Sequence, residues 1–207
     1  MCFHRKNGIK PARNACRDFS LQREEAMNKR ITDMVYIAVA TALLVVCSWI
    51  ALPFAIPVTL QTFAVFAILG VLGGRRGTLA ITIYIIMGVI GVPVFSQFKN
   101  GGQVFFGIEG GYIVGFFAVA LLYWLLEALL GTSLWVRIVS MVTGMLVCYA
   151  IGTLWYVNFT LHELSLKSFL AGMNVCVAPF IIPDAIKLTA SAFVSQKIKR
   201  HVQTLNK

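Results

Sequence analysis

The chain has 207 residues, of which 58% are hydrophobic and 13% charged, against roughly 45–50% and about 25% in an ordinary globular domain. That balance excludes a soluble enzyme, a disordered tail and a charge-rich nucleic-acid-binding domain, and it predicts an all-α integral membrane protein. The formal net charge of +10 is a topology signal, because basic residues flank the apolar runs.

Residues 1–32 are polar and basic, carrying Arg5, Lys6, Lys10, Arg13, Arg17, Arg23, Lys29 and Arg30. No continuous apolar stretch interrupts them, so they predict a basic cytoplasmic tail and not a cleaved signal peptide. Its segment QREEAMNKR has helical character, and Met27 is an alternative start.

Six apolar spans follow, at about 34–52, 60–73, 78–92, 111–130, 134–157 and 169–195. A core of about 30 Å takes roughly 20 residues of helix. Spans two and three are short and crowded by glycine and proline, which leaves a re-entrant pair as the alternative to two crossings. Residues 201–207 form a short C-terminal tail.

With six crossings, fifteen of the 18 basic residues fall on the side of the two termini, including Arg75, Arg76, Arg137, Lys197, Lys199, Arg200 and Lys207. Lys99 and Lys167 fall on the other side, and Lys187 lies within span six. This asymmetry predicts a six-helix bundle with both termini inside.

Two outer loops stand out. Residues 51–59 carry Pro53 and Pro57, and residues 93–110 form a long glycine-rich stretch with Phe95, Phe98, Phe105 and Phe106. The second is too apolar for a solvated linker and is either a binding loop or lid or an interfacial aromatic belt. The Asn158-Phe159-Thr160 sequon carries no weight.

Cys2, Cys16, Cys47, Cys148 and Cys176 are scattered, with no spacing for a metal site or a disulfide framework. No metal, cofactor or phosphate-cradling loop is expected, and no nucleophile–base pair supports an enzyme. Glu109, Glu127 and Glu163 sit at span ends and are expected to be solvated; His162-Glu163 lacks a second histidine at metal spacing.

Asp184 and Lys187 are different. Ionisable groups inside an apolar span are costly and face a partner, a cavity or a ligand. Their i, i+3 spacing puts them on one helix face, and Pro179 and Pro183 loosen the backbone just upstream. The alternatives are a self-paired bridge or a lysine that snorkels to an interface. Ala38-x-x-x-Ala42 in span one forms a small-residue face that suits either a partner helix or internal packing.

Four ordered motifs then carry a resemblance: Ile56-Pro57-Val58-Thr59-Leu60-Gln61-Thr62-Phe63, Gly74-Arg75-Arg76-Gly77, Gly88-Val89-Ile90-Gly91-Val92-Pro93-Val94-Phe95, and Pro183-Asp184-Ala185-Ile186-Lys187. Over about residues 33–200 the chain resembles the BioY family, the biotin-binding S-components of energy-coupling factor (ECF) transporters. The resemblance implies a six-helix membrane domain that captures biotin from outside in a bacterial plasma membrane. It also implies partners: a transmembrane T-component and cytosolic ATPase subunits that would use the ATP. The membrane lipid is the other partner, and nucleic acid is not.

The implied substrate-binding residues are Asp184 and Lys187 of the last helix, Asn100 and Tyr112 (the latter after Gly110 and Gly111), and Thr59, Gln61 and Phe95 from the loops that close the pocket. Ala38 and Ala42, by their small-residue spacing, are the candidate partner interface. One departure is visible: where the family has Gly-Pro-Thr before Gly-Gly-Tyr, this chain has Gly107-Ile108-Glu109. Biotin suits such a site physically, its bicyclic body being mostly apolar and its ureido group needing fixed donors and acceptors. Two rival readings stay open from the residues alone. One is an ion-coupled secondary transporter using Asp184 as carrier site; the other is a small membrane transferase.

Overall fold

A computed structural model of the chain describes residues 9–52, 58–161 and 165–205. Pro53, Pro57 and His162-Glu163 lie outside the described residues. The chain divides into two units, residues 1–36 and 37–207. In the first, helix starts at Ile9, earlier than the segment QREEAMNKR alone suggests, and runs into the first apolar span as α1 (Ile9–Trp49). From 21 to 36 every residue except half-buried Asp33 is exposed.

The second unit contains the rest of α1 and α2 (Gln61–Leu72), α3 (Gly74–Val89), α4 (Gly101–Phe105), α5 (Gly110–Leu130), α6 (Leu134–Leu161), α7 (Leu166–Cys176) and α8 (Ile181–Leu205). Between α1 and α2 a two-residue antiparallel pair, β1 (Ala51–Leu52) and β2 (Val58–Thr59), sets Ala51 opposite Thr59 and Leu52 opposite Val58. Among the described residues, three helical segments are long and apolar enough to cross a membrane unaided: Leu21–Trp49, Gly110–Leu130 and Leu134–Thr160.

The sixth span is not one helix. It breaks into α7 and α8 with a bend of 61°, and only the pair together has the length and apolarity of a crossing. The reason is local: Pro179 has no N–H to give and disfavours helical backbone at the residue before it. A turn at Ala178–Phe180 replaces the helix there. Helix α2 has 12 residues, so at about 1.5 Å per residue it reaches roughly 18 Å, short of a full hydrocarbon core.

Without water to drive helices together inside a membrane, close approach and interhelical hydrogen bonds do the work. The most extensive contact joins α5 and α6, followed by α2 with α8 and α3 with α5. Gly111 and Gly115, one turn apart on α5, make the first possible: a Cβ on Gly111 would run into Trp155, and one on Gly115 would sit 2.8 Å from Cys148 Sγ. Thr78 Oγ1 donates to the Ala120 carbonyl across α3 and α5 at 3.0 Å. Thr41 Oγ1 reaches the Ala80 carbonyl from α1 at 3.2 Å.

Helices α2 and α3 are joined through Gly73 alone, whose φ of 80° lies in the left-handed region that glycine tolerates. Glu127 of α5 accepts the Gly74 N–H, so it satisfies an open helix start instead of being merely solvated. The loop of residues 90–109, which follows α3 at its end away from this turn, lines one cavity together with the starts of α5 and α8.

Candidate functional site

The cavity is built by one side chain or more from each of α2, the 90–109 loop, α5, α6 and α8. Its floor is charged. Asp184, in the first turn of α8, is 3% exposed and Lys187 9% exposed. Lys187 Nζ donates to Asp184 Oδ1 at 2.8 Å, and the Tyr149 hydroxyl of α6 donates to Asp184 Oδ2 at 2.7 Å. The pair expected from sequence is therefore formed, and it is held across two helices. A carboxylate has about four acceptor positions and an ammonium three donors, so this cluster retains both donor and acceptor capacity facing the cavity.

The walls are aromatic. Phe66, Phe95, Phe116, Phe180 and Tyr112 all line the space. Phe95 is fixed edge-on against Tyr84, with ring centroids 5.7 Å apart, while the Tyr84 hydroxyl donates to the Val94 carbonyl at 3.2 Å. Tyr112 is anchored by its hydroxyl on the Cys176 carbonyl at 3.3 Å. Thr59 and Gln61 close the side nearest α2.

The 93–110 segment is ordered structure folded onto its neighbours. Trp49 Nε1 donates to the Pro93 carbonyl at 3.1 Å, and Trp155 Nε1 to the Gly107 carbonyl at 2.9 Å. Gln97 and Phe98, with φ of 58° and 61°, turn the chain sharply in the left-handed region. The turn sends Ser96 inward: it is 4% exposed, lines the cavity, and among the described residues its hydroxyl has no hydrogen-bond partner. Buried polar groups are nearly always satisfied, so this hydroxyl is available to a bound molecule.

Six of the seven residues expected at the site, Asp184, Lys187, Tyr112, Gln61, Thr59 and Phe95, line this one cavity. Asn100 does not. It lies in a separate outer hollow with Lys99, Gly107, Glu109 and Phe159, where its side chain leaves α4 uncapped. Glu109, expected to be solvated, is instead 19% exposed and paired with Lys99 at 2.7 Å. Ala38 and Ala42 are exposed on α1, whereas Ala40, Thr41 and Leu44 point into the core.

Tyr149 and Ser96 escaped the sequence reading. A tyrosine or serine in an apolar segment carries no charge to announce itself, and each owes its place to a fold feature: a neighbouring helix for Tyr149, a left-handed turn for Ser96. The small-residue spacing of Gly111 and Gly115 was the one available signal for the α5–α6 approach that brings Tyr149 in.

Residues 20–204 match the model of the BioY family. A "Biotin transporter BioY" from Thermotoga maritima is 36% identical over 168 residues, 81% of this chain and 95% of that protein. "Biotin transporter BioY2" from Lactococcus lactis subsp. cremoris is 32% identical over 182 residues, 87% of this chain and 97% of that one. The fold is shared with a crystal structure of the S-component for biotin from an ECF-type ABC transporter, at a TM-score of 0.72 and 22% identity, covering 84% of this chain and 93% of that chain. With several long apolar helices and a family match across most of its length, the chain is a multi-pass membrane protein and belongs to the BioY family.

Proposed function

We infer that this protein takes up biotin as the substrate-binding subunit of an ECF-type transporter and has no catalytic activity of its own. The observation that carries the reading is the cavity itself, in which aromatic walls enclose Asp184, Lys187 and Tyr149. A ureido group offers two N–H donors beside one carbonyl acceptor. The Asp184 carboxylate accepts a ureido N–H, the Lys187 ammonium donates to a ligand oxygen, and the aromatic walls cover the apolar bicycle. Thr59, Gln61, Phe95 and Tyr112 complete the binding set, joined by Tyr149 and Ser96. Asn100 belongs to the mouth.

The membrane domain is residues 33–200, between a basic cytoplasmic tail at 1–32 and a C-terminal tail at 201–207. It crosses a bacterial plasma membrane six times with both termini inside, α2 and α3 each serving as a short crossing. The positive-inside split supports that orientation, in which the cavity faces the outside. The partners are a transmembrane T-component, docked on the exposed Ala38/Ala42 face of α1, and cytosolic ATPase subunits. No observation favours the ion-coupled carrier.

The test is uptake of labelled biotin by biotin-transport-deficient cells producing the chain with an ECF module. Accumulation should require an ATPase subunit able to hydrolyse ATP. Accumulation that persists with an inactive ATPase and collapses with the ion gradient would contradict the reading.

A further inference from the structure

The inner cavity and the outer hollow share one residue among those described, Glu109. Its carboxylate Oε1 accepts from Lys99 Nζ at 2.7 Å, and the side chains are 19% and 43% exposed. The boundary between the two spaces is thus an ion pair. Each carboxylate has its own cation, Asp184 with Lys187 deep in the cavity and Glu109 with Lys99 at the boundary. A ligand that arrives with a carboxylate of its own therefore brings a charge that neither pair balances, and it needs a donor. Lys187 and Lys99 each spend one of three N–H donors on a carboxylate, but Lys187 is buried beside the ring-binding Asp184, whereas Lys99 is partly open to the hollow.

Resting on the biotin reading above, we propose that the Lys99–Glu109 pair is the subsite for the ligand's carboxylate tail. The ring system lies within the inner cavity beside Asp184 and Lys187, and the tail reaches outward to the mouth. There it takes a hydrogen bond from Lys99, in competition with Glu109. Glu109 is a built-in rival carboxylate: it holds Lys99 in position at the mouth while repelling an anionic tail that Lys99 has not accepted. Lys99 favours an acid over its uncharged analogue, and Glu109 opposes that preference. Both act on the tail and not on the ring.

The experiment is a pair of titrations on the detergent-purified full chain, with biotin and with biotin amide, its uncharged carboxamide. Wild-type protein should prefer the acid by about fivefold, a size that suits a charge pair half open to water. Glu109→Gln should enlarge that preference, and Lys99→Gln should abolish or reverse it by leaving Glu109 unopposed. An equal affinity of wild-type protein for acid and amide would overturn the proposal without any substitution. An acid-to-amide ratio unchanged across the three proteins would overturn it too, because a merely structural mouth would move both ligands together. Wild-type protein that is folded and binds neither ligand would overturn the biotin reading along with it, which the first titration alone reveals.

Discussion

Asp184 receives one hydrogen bond from its own helix and one from another, through Lys187 and Tyr149. Removing one partner of a buried pair typically costs about 3–5 kcal/mol, whereas replacing both is far milder. The double variant Asp184→Asn/Lys187→Met should therefore stay folded by thermal melt. In a binding isotherm it should lose about two to four powers of ten in biotin affinity, the worth of two charge-assisted hydrogen bonds. Tyr149→Phe removes only the hydroxyl donor and should weaken biotin by about tenfold, with a lower melting temperature. Ser96→Ala separates binding from folding more sharply. Its hydroxyl has no partner among the described residues, so the melt should be unchanged or slightly higher while biotin affinity falls about fivefold. A parallel loss of both would make Ser96 a packing residue. At this scale the charged residues were legible because an ion inside an apolar run is costly wherever it lies. Tyr149 and Ser96 were not, since nothing about their identity marks them until a second helix or a turn aims them at the cavity.

Helices in this bundle meet through specific small residues, and two faces make opposite predictions. Gly115→Leu would drive a side chain into Cys148 across the α5–α6 contact. It should destabilise the fold by about 1–3 kcal/mol or more, read as a lower melting temperature, and carry biotin affinity down with it by displacing Tyr149. Ala42→Trp changes an exposed face of α1. Melt and biotin affinity should persist while co-purification with the T-component is lost; joint loss of binding and assembly would return Ala42 to internal packing. The apolar runs predicted where helices lie to within a few residues for spans two to five, because hydropathy reports burial in lipid directly. It reports backbone continuity poorly. The break between α7 and α8 needed the two prolines to be weighed above an unbroken apolar run, and the extension of α1 back to Ile9 lies in polar sequence where hydropathy is silent.

For the whole molecule, the distribution of charge links the two ends of the bundle to the two sides of the membrane. The proposed topology puts the basic turn at Arg75 and Arg76 and the end of α8 on one side, and the cavity with its Lys99–Glu109 mouth on the other. In a cysteine-free background, Lys99→Cys and Lys167→Cys should react with an impermeant thiol reagent on intact cells. Arg76→Cys and Lys199→Cys should react only after permeabilisation. Labelling of position 76 from outside would replace six crossings with a re-entrant α2–α3 pair. Among the described residues the cavity is lined from the loop before α2, α2, the 90–109 loop, α5, α6 and α8, and the proposed function requires that this lining bind biotin. The most direct measurement is an equilibrium titration of the detergent-purified full chain with labelled biotin, with no partner subunit and no ATP. Saturable binding at one biotin per chain, displaced by unlabelled biotin, is the predicted result. A protein that melts cooperatively yet shows no saturable binding would contradict it.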